Sequence, residues 1–106
     1  MSEPLIKLTP PYYAVVFASK QKVMDQEYQD TANHLLGLAQ KVPGFLGVEM
    51  AGGDDLTIGV IYWKTLESIE SWKNHPEHIP AKEKGKTKWY ADYRVRICKV
   101  EKEYGP

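Results

Sequence analysis

The sequence predicts an α+β protein, a four-stranded antiparallel sheet with helices packed on one face. Two observations predict it. Strand-like and helix-like segments follow one another as strand, helix, strand, strand, two short helices, strand, an order that a single sheet with helices on one side accommodates. The chain has 106 residues, of which 42% are hydrophobic and 26% charged, enough for one core and too apolar for wholesale disorder. One domain spanning 1–106 is therefore expected, with 1–11 as an irregular arm broken by Pro4, Pro10 and Pro11.

Tyr12 to Ser19 is aromatic and β-branched without a charge, the pattern of a strand buried on both faces. From about Val23 the period changes. Tyr28, Ala32, Leu35, Ala39 and Val42 recur at helical spacing and draw one apolar stripe. Asp25 and Glu27 suit the positive end of that helix, Lys41 lies near its other end, and Pro43-Gly44 stops it. Phe45–Met50 and Leu56–Trp63 read as strands joined through a Gly52-Gly53-Asp54-Asp55 turn. Thr65 can cap a short helix carrying Leu66, Ile69 and Trp72. Asn74-His75-Pro76-Glu77 breaks it and opens another helix, with Ala81, Gly85 and Trp89 every four residues. Tyr93–Val100 is the last strand.

Helices cover only one face of such a sheet, so the other should alternate with polar residues. Instead Leu56, Ile58, Val60 and Tyr62 form one face of the third strand, while Ile61 and Trp63 sit on the other beside Gly59. Leaving that surface in water forgoes about 25 cal/mol per Å², several kcal/mol over a few large residues. A second copy packed sheet to sheet removes the loss, and a homodimer is the expected partner state. The short arm and tail are the alternative cover.

Fourteen basic residues balance fourteen acidic ones, which offers no long-range attraction for nucleic acid or an anionic membrane. No apolar run approaches the length of a membrane span, and the first residues lack a signal-peptide pattern. With a single cysteine, Cys98, the expected location is cytoplasmic.

The segment Trp63-Lys64, Ile69-Glu70-Ser71-Trp72-Lys73-Asn74-His75-Pro76-Glu77-His78, Ala81 and Trp89-Tyr90-Ala91-Asp92-Tyr93 resembles the antibiotic-biosynthesis-monooxygenase domain family. The Pro43-Gly44-Phe45 turn is similar too. The resemblance covers the chain from Tyr12 to Gly105 and implies a ferredoxin-like sheet forming a dimeric α+β barrel, with a pocket between sheet and helices. Members include small oxygenases that convert polycyclic phenols to quinones without metal or flavin, and others that degrade haem. The haem-degrading pattern has an asparagine on the first strand, a tryptophan on the second helix and a ligand histidine ten residues later. Here only Trp72 matches, because Lys82 stands at the histidine position and Tyr12–Ser19 has no asparagine.

A deprotonated phenol can supply electrons to oxygen itself, so this chemistry needs a base, orientation and dryness, and no cofactor. His78 is the candidate base, with Asn74 and Trp72 completing the candidate catalytic group. Trp63, Tyr90 and His75 are candidate substrate-binding residues for a small aromatic molecule. Each has a plainer role available: core packing for the tryptophans, capping for Asn74, a helix-terminal position for His78. No metal site is expected, since His34 lies on another helix with no evident reason to join His75 and His78. Binding without turnover on the same scaffold is the second functional reading, and haem binding a third.

Overall fold

The computed structural model describes residues 5–22, 25–53 and 55–106. Strand β1 (Tyr12–Gln21) leads to helix α1 (Gln26–Ala39), strands β2 (Phe45–Gly52) and β3 (Leu56–Trp63), and helices α2 (Leu66–Lys73) and α3 (His78–Lys84). A π-helical turn over Gly85–Trp89 then feeds strand β4 (Tyr90–Val100). The sheet is antiparallel in the order β2-β3-β1-β4. This is the expected α+β, ferredoxin-like fold.

Local chemistry sets the boundaries. Asp25 accepts the Tyr28 amide at 2.9 Å and caps α1, so that helix starts at Gln26; Val23 and Met24 lie outside the described residues, as does Asp54 of the hairpin turn. The helix stops three residues short of the predicted Val42. Lys41 and Val42 instead donate to the carbonyls of Leu38 and Ala39 in a tightened last turn. Gly44 follows with φ of 95°, where a Cβ would run into the Ser68 hydroxyl. Thr65 caps α2 as expected, accepting the Ser68 amide at 3.1 Å.

The greatest departure lies in the third helical segment. The four-residue repeat Ala81, Gly85, Trp89 predicts one helix, but the chain changes to π-helical winding at Gly85. Absence of a side chain there is required, because a Cβ would stand 2.9 Å from the Tyr90 ring. Strand β4 also begins three residues early, with Gln21 opposite Tyr90 after a register shift in β1.

The register assigns the faces. Tyr13, Val15, Phe17 and Ser19 share the helix side with Ile61 and Trp63 of β3 and with Tyr93, Val95 and Ile97 of β4. Ala39, Trp63, Ile69 and Trp72 form the buried centre between the layers, with Leu35, Leu38, Val42 and Phe45 packed round it. The opposite face carries Tyr12, Ala14, Val16 and Ala18 beside Leu56, Ile58, Val60 and Tyr62.

Arm and tail cover one end of that opposite face. Glu103 accepts the Tyr12 hydroxyl at 2.6 Å and the Leu8 amide at 2.9 Å. Glu49 accepts the Tyr62 hydroxyl at 2.6 Å and the Ile6 amide at 3.2 Å. Ile6 lies so close to Gly47 that a Cβ there would come within 2.7 Å of it. The other end stays open: Leu56 is 46% and Ile58 40% exposed, whereas Tyr12 and Ala14 are 6%.

The Tyr12–Glu103 clamp has a pH window. Hydrogen bonding to Tyr12 holds Glu103 below its ordinary 4.5, so its contribution exists above that value and is lost as pH falls through the depressed one. The same bond pushes Tyr12 up from 10.0 to about 12, so its contribution is present below 10 and lost as pH rises towards 12. Tyr12→Phe should lower stability by about 1 kcal/mol in urea unfolding at neutral pH, and the deficit should shrink at pH 3. Gly44→Ala should cost more than about 1 kcal/mol, since it adds strain and a clash together.

Candidate functional site

Helix α2 buries Ser68, Ile69 and Trp72, and Trp72 is only 8% exposed. Its ring holds the corner between α2 and α3. The His78 imidazole stacks on it, with centroids 4.4 Å apart and planes 17° from parallel, and His75 packs at 5.5 Å.

Hydrogen bonds fix the protons of these rings. His78 Nδ1 lies 3.1 Å from the Trp72 carbonyl, which can only accept, so Nδ1 carries the hydrogen and the Nε2 lone pair is the basic one. Burial keeps the His78 pKa below its ordinary 6.5, so the ring is neutral at physiological pH. His75 is the reverse case: its Nδ1 accepts the Glu77 amide at 3.1 Å, which leaves its proton on Nε2. The three residues thus give one half-buried proton acceptor, one half-buried donor and a flat apolar platform.

Asn74 sits at the C-terminus of α2 with an exposed side chain, and its amide donates to the Glu70 carbonyl at 3.1 Å. Trp63 is fully buried in the same cluster as Trp72, edge-on to Phe45 at 5.7 Å. Its indole N–H is buried with no hydrogen-bond partner.

Tyr90 belongs to another assembly. Its ring packs against Phe17 at 5.3 Å, Tyr28 at 5.9 Å and Tyr93 at 5.8 Å, and burial drives its pKa up. Its hydroxyl donates to that of Tyr28, which also receives Gln21 Nε2 at 3.0 Å. Trp63 pairs near Tyr13 and Tyr90 opposite Gln21, so their backbones lie about 25 Å apart along β1. The six residues singled out by sequence therefore divide: Trp72, Asn74, His75 and His78 share one corner, Trp63 lies in the core beneath it, and Tyr90 lies at the far end of the sheet.

Sequence reasoning set His34 aside as lying on another helix, and the structure brings it to this corner. It projects from α1 to the same corner, where its Nε2–H donates to Glu77 at 2.9 Å and holds that carboxyl below the usual range. Its spacing along α1 carried no signal, because the crossing of α1 with the α2–α3 connection exists only in three dimensions. Among the described residues, no three His, Cys, Asp or Glu side chains are arranged to hold a metal ion.

Space for a ligand lies along β4. Val95 and Ile97 point to the helix side yet are each 52% exposed, so an apolar strip of the sheet is left uncovered by helices. A groove of about 440 Å³ opens at the start of that strand, lined by Lys86, Tyr90, Tyr93, Arg94 and Val95 among others. A second of about 310 Å³ lies beside Tyr13, Thr65 and Lys99. Both are open and shallow, and neither is lined by Trp72 or His78. Trp72→Ala should cost about 3–5 kcal/mol in denaturant unfolding as a core deletion. His75→Ala, at a half-buried position outside the core, should cost much less, within about 1 kcal/mol in the same measurement.

No protein-family model matches the chain. The uncharacterized protein YqjZ of Bacillus subtilis is 45% identical over 95 residues, which cover 89% of this chain and 83% of YqjZ. SnoaB of Streptomyces nogalater, described as a cofactor-independent oxygenase, superposes with a TM-score of 0.74 at 9% identity, over 89% of this chain and 97% of its own. A provisional antibiotic biosynthesis monooxygenase of Nitrosomonas europaea gives 0.73 at 11% identity, over 90% and 95%. At such identities the likeness is one of fold, whereas the likeness to YqjZ is one of sequence along most of both chains. The chain belongs to the same family as YqjZ, and its fold is that of the antibiotic-biosynthesis-monooxygenase type of protein.

Proposed function

We propose that this protein is a homodimeric, cofactor-independent monooxygenase acting on a small aromatic or quinol-like substrate, with His78 as the proton acceptor. The observation that carries the reading is the state of His78: neutral, stacked on Trp72, with its Nδ1–H donating a hydrogen bond to the Trp72 carbonyl and its Nε2 lone pair available. A flat ring lying on the Val95–Ile97 strip between sheet and helices would be deprotonated at its phenol by Nε2. The phenolate then supplies the electrons. One atom of dioxygen becomes the new carbonyl oxygen of a quinone, and the other leaves as water with the two hydrogens lost by the phenol. Asn74 and His75 would orient the substrate oxygen from the rim, and Trp72 is the platform. Trp63 supports that platform from below, while Tyr90, at the far groove, is too distant to touch the same ring. The resemblance in fold to SnoaB supports this reaction class.

The open, shallow grooves favour a second reading, binding without turnover, since poor exclusion of water weakens oxygen chemistry. Oxygen uptake with a panel of hydroquinones and polycyclic phenols separates the two. Uptake above the protein-free rate, falling at least tenfold in His78→Ala with substrate affinity retained, is the expected result. Because the folded pKa of His78 is depressed, the rate should rise with pH along a limb centred below 6.5, and that limb should vanish in the variant. A flat trace across the panel defeats the catalytic reading.

The homodimer rests on the open end of the second sheet face, where Leu56, Ile58 and Val60 lie beside Val16 and Ala18. Ile58→Asp should convert a dimer to a monomer in sedimentation equilibrium, while retaining the circular dichroism of the folded chain. A monomeric parent protein would refute the assembly.

A further inference from the structure

Helix α3 differs from the rest of the fold in how it is held. None of its residues is buried, and it has no side-chain N-cap. Seven residues without burial are too few to be stable on their own helical propensity. Polar contacts with α1 and α2, together with the stacking of His78 on Trp72 at its first residue, hold it instead. His34 binds Glu77 just before its first residue, Glu27 pairs with Lys84 at its last, and Lys88 reaches Asp25 at 3.1 Å beyond it. Lys82 donates to the Lys73 carbonyl at 2.9 Å. Ile79, next to His78, is 47% exposed, and the apolar strip of Val95 and Ile97 stands uncovered on the same side of the sheet. A segment with little buried area and exposed polar ties is the part of a fold that opens first.

We propose that His34 is a positioning residue: through Glu77 it straps α3 to α1 and keeps the His78 ring on Trp72 in its Nδ1–H form. The proposal deepens the reading of His78 as proton acceptor and rests on it for its functional meaning. Glu77 is the pivot. Its carboxylate accepts a hydrogen bond from His34 Nε2–H at 2.9 Å, and its backbone amide donates to His75 Nδ1, while the His75 carbonyl in turn accepts the His78 amide at 3.0 Å. One contact from α1 is thereby passed through two backbone links to the base.

The test uses the full-length protein, with His34→Ala and the rescue variant His34→Lys, which keeps a donor facing Glu77. His34 is exposed, so neither change threatens the core. Amide hydrogen exchange of residues 78–84 should quicken at least tenfold in His34→Ala while the strands keep their protection. Long-range nitrogen–proton spectra at pH 7.5 should show His78 moving from the Nδ1–H towards the Nε2–H tautomer. Both signatures should return in His34→Lys. Unchanged exchange and tautomer in His34→Ala would overturn the proposal, and so would an equal rise in exchange across β1 to β4. Neither readout needs turnover: if both appear but the parent protein consumes no oxygen, the strap stands and the oxygenase reading falls.

Discussion

The burial of Trp72 among Ala39, Trp63 and Ile69 is the contact on which the rest of the molecule depends. It joins the first crossover helix, the central strand β3 and the second helical segment in one cluster, so it fixes how the helical layer sits on the sheet. Its exposed edge then serves a second purpose. An indole ring this deeply buried can hold an imidazole parallel to it, and the carbonyl of the same residue selects which imidazole nitrogen keeps the proton. A core contact and the chemistry of the candidate site are thus properties of one side chain, and the two cannot be varied independently.

The second organising constraint is a shortage of cover. Four strands have two apolar faces, but the chain carries only enough helix for part of one. On the helix side the shortfall falls over β4, where Val95 and Ile97 remain half in water. On the other side, two glutamates recruit the backbone of the arm and the hydroxyls of Tyr12 and Tyr62, sealing one end of the sheet. Uncovered apolar surface is costly unless it is used. The proposed ligand uses the first shortfall and the proposed second copy uses the other.

Electrostatics divides labour with packing in the same way. The sheet and α2 are held by buried area, while α3 is held by exposed polar contacts that are individually weak. The candidate base His78 stands at the junction of the two: its ring lies on the buried Trp72 of α2, and its backbone belongs to α3. The aromatic assembly at the far end, around Phe17, Tyr28 and Tyr90, closes the other end of the helical layer and anchors the π-helical turn.

Strand and helix order, the acidic start of α1, the cap at Thr65, the Gly44 stop and the two-faced character of β3 were legible in the sequence, because each depends on residues close together in the chain. The corner of Trp72, Asn74, His75 and His78 was legible for the same reason: its members lie within seven positions. The break of winding at Gly85 was not, since it answers to the Tyr90 ring, which the periodicity of α3 does not contain. Nor was the sharing of cover between arm and tail, which join Leu8 and Tyr12 to Glu103 across nearly the whole chain. The sequence alone determined which segments could form and which groups could carry chemistry, through local periodicity and side-chain type. Only the tertiary structure decided that His34 meets Glu77, that Tyr90 stands apart from Trp72, and which nitrogen of His78 is basic, because those facts arise from contacts between elements distant along the chain or from the geometry of a carbonyl that no pattern of letters records.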